Sequence, residues 1–190
     1  HRHHHRHSDT PEDFHNPRLQ GFWRAHMLWW MDEDCRRPDL GKVRDFVRYP
    51  ELRLLERAYA LPALLTSAAC FLVGGWSGFV VGFCWSTVIL WHGVFSINSL
   101  AHVWGRQDHD TGDDSRNNPV LAFVMLGEGW HNNHHRYPAS ARSGIGPRQI
   151  DLTWLGLRVL AALGLVWDLR VFPLPAGEAT EPVGSRDRAA

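Results

Sequence analysis

Residues Ala58 to Gly105 read AYALPALLTSAACFLVGGWSGFVVGFCWSTVILWHGVFSINSLAHVWG and contain no Asp, Glu, Lys or Arg, in a chain that is 21% charged. A membrane-spanning helix needs roughly 20 apolar residues, so a stretch of this length accommodates two. The cluster Gly74-Gly75-Trp76-Ser77-Gly78 divides it, because glycine and serine together punctuate helical patterns. The reading is one helix over about Ala58 to Val73, with Pro62 near its start, and a second over about Phe79 to His102.

Two spans joined by a tight turn form a hairpin whose flanks lie on one side of the bilayer. Residues 1–57 and 106–190 hold all 20 Lys and Arg, and the turn holds none. The excess of basic residues marks the cytoplasmic side, so both flanks are expected in the cytoplasm. The expected fold is an all-α membrane protein, a transmembrane helical hairpin (58–105) with a cytoplasmic helical body. That body comprises the segment 1–57 and the segment 106–172, and residues 173–190 form a disordered tail. Within 106–172 the run Leu152 to Leu169, interrupted by Arg158 and Asp168, reads as an amphipathic helix at the interface or on the body rather than as a third span. A mean hydropathy of -0.29 is then an average over a charge-free quarter and a charged remainder.

Composition narrows the chemistry. Net charge is zero, which excludes a nucleic-acid binder that relies on a basic surface. Three cysteines, Cys35, Cys70 and Cys84, are too few and too widely spaced for a disulfide framework or a thiolate site. The surplus is in histidine, 13 of 190 residues, and tryptophan, ten. The tryptophans suit core and interfacial anchoring.

The histidines repeat one spacing. His1, His4 and His5 stand at i, i+3 and i+4, and so do His131, His134 and His135 within Gly127-Glu128-Gly129-Trp130-His131-Asn132-Asn133-His134-His135. On a helix such positions share one face. His102, with Asn98 one turn earlier, lies at the cytoplasmic end of the second span, where a polar residue is a functional suspect. An affinity tag would account for a terminal His tract alone, but the text after it is not linker-like and the spacing recurs at 131–135. Seven imidazoles converging on one face exceed the four side chains of a tetrahedral site and argue for two metal ions. Imidazole alone does not name the metal. His3, His7, His15, His26, His92 and His109 are read as structural.

HRHHH followed by HSDTPEDFHNP, then NSLAHVWG, GEGWHNNHHRYP and AALGLVWDLR, resembles the membrane fatty acid desaturase family, in particular its bacterial stearoyl-CoA (delta-9 acyl) branch. The resemblance runs from His1 to about Pro173. It implies two iron ions (Fe2+) held by His1, His4, His5, His102, His131, His134 and His135, with Asn98 acting through water. It further implies dioxygen as co-substrate, a ferredoxin or cytochrome b5-type electron donor, a long-chain acyl-CoA or acyl-lipid substrate, and residence in a bacterial cytoplasmic membrane with the His site on the cytoplasmic face. Glu128 and Asn132 or Asn133 are candidates to brace the ligands. Family members carry a HxxxxH box and two further spans ahead of the HRHHH motif, so the chain is expected to be an N-terminally truncated desaturase. Where CoA-using relatives have basic residues, it has Asp32-Glu33-Asp34, with Arg36-Arg37 after them, which weakens the case for CoA. A lipid hydroxylase or ketolase on the same scaffold and a non-catalytic metal-binding remnant are the competing readings.

Overall fold

The computed structural model describes residues 1–36 and 39–172, and the described residues are helical, with only isolated bridges Arg106↔Asn117 and Asn117↔Trp130 and no named strand. The helices are α1 (Arg2–His7), α2 (Pro17–Gln20), α3 (Glu33–Arg36), α4 (Arg44–Val47), α5 (Pro50–Arg57), α6 (Leu61–Ser77), α7 (Ser86–Ser99), α8 (Pro119–Val124), α9 (His131–Arg136) and α10 (Leu152–Ala162). π-helical turns at Arg24–Leu28 and Gly78–Trp85, and 3₁₀ turns at Trp29–Met31, Leu40–Val43 and Leu100–His102, connect them. The expected disordered tail, 173–190, lies outside the described residues, as does Arg37.

Two compact units result, one of His1, His3–Met27 and the chain from Gly93 onward, the other of Arg2 and Leu28–His92. The second unit carries most of the apolar run. Leu61–His102 is the one helical run among the described residues long and apolar enough to cross a membrane, and none of its most apolar stretch is buried. It is broken at Gly75, whose φ of 58° and ψ of -146° are not helical and suit glycine because it has no Cβ. Beyond the break a Cβ at Gly78 would overlap the carbonyl of Cys70, and one at Gly82 would meet Cys70 Sγ at 3.6 Å. The two limbs thus pack through small residues. The first limb starts at Leu61 rather than Ala58, because Ala58 closes α5 through its N–H to the Leu54 carbonyl and Pro62 falls in the first turn of α6, where its missing N–H costs nothing.

The first unit has a polar interior. Besides Ala25, Ile97, Ala101, Leu121, Ala122, Trp130 and Leu169, it buries His4, Asp13, His26, Ser99, His102, Ser115, Asn117, His131, Asn132 and Asn133. Burial of so many polar groups is tolerable only where they bond one another. Asn132 Oδ1 accepts the Asp108 and His109 N–H groups at 2.8 and 2.7 Å. Asn133 Nδ2 donates to Ser143 O and Gln149 Oε1, both at 2.8 Å. These two asparagines therefore brace the loops around α9. The helix read over Leu152 to Leu169 is shorter in the fold. Asp151 caps it through Trp154 N at 2.8 Å, and it ends after Ala162. There Gly164, at φ 70°, donates to Ala161 O and Leu165 donates to Leu160 O, the Schellman pattern. Leu155, Val159 and Leu160 remain exposed on it.

Candidate metal centre

Three short helical segments of the first unit bring the imidazoles together. α1 carries His4 and His5 with His1 at its N-cap, the turn Leu100–His102 carries His102, and α9 carries His131, His134 and His135. Two groups form. In the first, the ligand atoms of His4, His102, His131 and His135 all lie within 4.8 Å of one another, and the same limit holds for His1, His5 and His134 in the second. The seven histidines singled out in the sequence are the members of these two groups. The helices share them in a crossed fashion. α9 gives its i, i+4 pair, His131 and His135, to the first group and His134 to the second. α1 gives His4 to the first, and His5 joins His1, four residues before it, in the second.

The facing atoms suit a cation better than each other. His131 Nε2 stands 3.1 Å from His102 Nε2 and 3.0 Å from His135 Nε2. In the second group His5 Nε2 is 2.9 Å from His134 Nε2 and 3.0 Å from His1 Nε2. The opposite nitrogens of three rings are engaged by carboxylates: His102 Nδ1 with Asp9 at 2.8 Å, His4 Nδ1 with Asp13 at 3.0 Å and His135 Nδ1 with Asp113 at 2.6 Å. A neutral ring that donates from Nδ1 presents a lone pair at Nε2. His131 can donate one proton at Nε2, so at least one of its two close contacts is left without a hydrogen bond to hold it. A metal ion removes that conflict. With a metal–nitrogen distance of about 2.1 Å, neighbouring ligand nitrogens stand about 3.0 Å apart at right angles and about 3.4 Å apart at tetrahedral angles, which matches the observed spacing.

Burial keeps His4, His5, His131 and His134 neutral, the form a metal requires. It pushes His131 well below the ordinary imidazole range and lowers His4 despite its bond to Asp13. It also takes His5 down to about 3 and His134 to about 4, aided by neighbouring imidazoles. Burial alone would raise the carboxylates, yet hydrogen bonds and charge from the histidines hold Asp13 at about 2 and depress Asp9 and Asp113.

Sequence reasoning did not single out Asp9, Asp13 and Asp113. The available signal was the pair Asp9 and Asp13, four apart, directly after the His tract. His15, read as structural, is buried beside His4 with ring centroids 4.4 Å apart and joins His4 and Asp13 in a third cluster. His26 Nδ1 meets Ser99 Oγ at 2.9 Å and His3 Nε2 meets the Glu12 carbonyl at 2.9 Å, both apart from the three clusters. Asn98, Glu128, Val94 and Ile97 line a cavity of about 380 Å³ that is also bounded by His1, His131 and His134. Burial raises the Glu128 carboxyl above its usual range.

The sequence profile of the family described as "Fatty acid desaturase" matches residues 1–146. Among similar proteins, the chain is 39% identical over 175 residues to an icosanoyl-CoA 5-desaturase of Limnanthes douglasii, covering 90% of this chain and 49% of that protein. It is 39% identical over 176 residues to the chloroplastic palmitoyl-monogalactosyldiacylglycerol delta-7 desaturase of Arabidopsis thaliana, covering 90% and 47%. Identity to the sn-1 stearoyl-lipid 9-desaturase of Anabaena variabilis is 34% over 172 residues, covering 90% and 63%. The chain thus spans about half the length of the first two relatives, and the relatives' names differ in acyl carrier and in the bond position they specify. A match over three quarters of the chain and these identities make it a member of the fatty acid desaturase family.

Proposed function

We propose that this chain supplies the metal centre and a membrane hairpin of an oxygen-dependent acyl desaturase. In this reading it introduces a cis double bond, at position 9, into a long saturated acyl chain carried by CoA or by a membrane lipid. The observation that carries the reading is the pair of convergent imidazole groups, completed by His102 at the end of the apolar run. Unactivated CH2 groups lie beyond the reach of any protein side chain, and two iron ions with dioxygen supply the oxidising power. His4, His102, His131 and His135 would hold one iron, and His1, His5 and His134 the other, with Asn98 acting through water.

The remaining work falls to the chain itself. Asp9, Asp13 and Asp113 fix their imidazoles with Nε2 turned inward. Val94 and Ile97 offer apolar wall to an acyl segment in the cavity beside the imidazoles. Leu61–His102 is about twice the length of a span and broken at Gly75, which supports two crossings with both flanks, and the His site, on one face, and the Lys and Arg of those flanks favour the cytoplasmic face. Electrons come from a ferredoxin or cytochrome b5-type protein. Asp32-Glu33-Asp34 disfavours the phosphates of CoA, and relatives named as lipid desaturases add weight to a lipid-linked substrate.

The test is lipid analysis of cells that express the full-length gene product carrying this chain. Cis-9 monounsaturated chains are expected, with isotope-labelled acyl-CoA and acyl-lipid compared as precursors. Hydroxylated or keto lipids in their place would assign a sister oxidation to the scaffold and overturn the desaturase reading.

A further inference from the structure

Asn132 sits between His131 and His135 on α9 and is wholly buried, at 0% exposure. Its Oδ1 accepts two backbone N–H groups, Asp108 at 2.8 Å and His109 at 2.7 Å. Backbone N–H groups only donate, so they fix which end of the amide is oxygen and which is nitrogen. Nδ2 therefore shares its two hydrogens among His109 O at 3.1 Å, Ser115 Oγ at 3.2 Å and Thr111 Oγ1 at 3.3 Å. A hydroxyl that accepts a hydrogen from this amide keeps its own hydrogen to give. Both hydroxyls meet one acceptor, Asp113 Oδ1, Thr111 at 2.6 Å and Ser115 at 2.5 Å. The other oxygen of that carboxylate, Oδ2, stands 2.6 Å from His135 Nδ1.

These bonds run with one polarity from end to end. The amide gives to the hydroxyls, the hydroxyls and the Ser115 N–H give to Asp113 Oδ1, and Oδ2 is left to take the hydrogen of His135 Nδ1. The His135 lone pair then stands at Nε2, facing His131 Nε2 at 3.0 Å. A carboxylate behind a metal-binding imidazole fixes its tautomer and ring plane, and losing such a partner weakens metal binding about 10- to 100-fold. We infer that Asn132 is a positioning residue of the metal centre: through Thr111, Ser115 and Asp113 it sets the tautomer and orientation of His135. Asn133, the next residue and also buried, directs its side chain elsewhere, to Ser143 O, Gln149 Oε1 and Asn117. This inference rests on the reading of His135 as a metal ligand.

The experiment uses the full-length gene product in detergent, stripped of metal and loaded anaerobically with Fe2+ alone. Bound iron is followed by elemental analysis during challenge with a ferrous chelator, and the melting temperature of the metal-free protein is read alongside. Asn132→Ala is expected to speed iron loss about tenfold, and Asp113→Asn at least as much. Combined, the two are expected to lose iron no more than about twofold faster than Asp113→Asn alone, because both cut one chain of bonds. The double variant Thr111→Val, Ser115→Ala leaves Asn132 in place and is expected to reproduce the Asn132→Ala loss, which keeps the test sound should Asn132→Ala fold poorly. Asn133→Ala also lowers the melting temperature, but its effect on iron loss is the same with Asp113 or Asn at position 113. Parental retention in both Asn132→Ala and the hydroxyl variant, or an Asn132→Ala effect undiminished beside Asp113→Asn, overturns the inference and leaves the ligand reading standing. A parent protein that takes up no iron overturns the ligand reading itself.

Discussion

His131 shows how one residue ties chemistry to stability. It is buried, and its Nε2 faces those of both His102 and His135, so it tolerates no proton there once an ion is present. The same burial governs the metal-free chain. His5 at about 3 and His134 at about 4 lie below the roughly 6.5 of an unfolded imidazole. As pH falls below 6.5, the unfolded chain takes up protons that the folded chain refuses, and stability falls. Asp13, held at about 2, adds a further loss only below about pH 4. The melting temperature of metal-free protein is therefore expected to drop by several degrees between pH 7 and pH 4.5, and an unchanged value would contradict the burial of these rings. The histidines were legible in the sequence because helical spacing announces them. Asp9, Asp13 and Asp113 were not, because a carboxylate meets its imidazole through the tertiary fold: Asp113 reaches His135 across 22 residues and Asp9 reaches His102 across 93.

At the scale of elements, the position of α9 depends on a close approach of backbone. The Gly129 carbonyl accepts the Asn118 N–H at 2.8 Å, and a Cβ on Gly129 would overlap the backbone of Leu121 and Ala122 at the core of α8. Gly129→Ala is expected to displace α9 with its three histidines and to cost about 1–3 kcal/mol of overpacking. The check is a lower melting temperature together with reduced metal content, and full metal retention would argue against this coupling. The charge-free stretch made the apolar run visible from sequence, and its break falls within the glycine cluster that marked it. The end of α10 was not visible, because Leu165, Val166, Trp167 and Leu169 continue the apolar text after Gly164 has already closed the helix. Hydropathy records what a residue prefers and not where the backbone turns.

The whole molecule is unusual in where it keeps its polar and apolar groups. The described chain buries few apolar side chains, while Leu64, Leu72, Val73, Val81, Ile89 and many others stand exposed along the apolar run. A water-soluble protein would not leave so large an apolar surface open. Expressed protein is expected in the membrane fraction and to resist alkaline carbonate extraction. Release into the supernatant would refute the proposed spanning hairpin. About half of the first relatives' length accounts for a recognisable family and both imidazole groups, because the HRHHH and HNNHH motifs and the run between them all lie within this chain.

The crossed sharing of histidines between α1 and α9 has a consequence for the chain as a polymer. His1 and His134 are 133 positions apart and meet in one group, so an ion bound there acts as a removable cross-link that closes a very long loop. By the chain-entropy scale used for disulfides, closing about 100 residues restricts the unfolded chain by about 4.7 kcal/mol. Metal supply would then set how firmly the first and last thirds of the sequence are fastened together, quite apart from any reaction the metal supports.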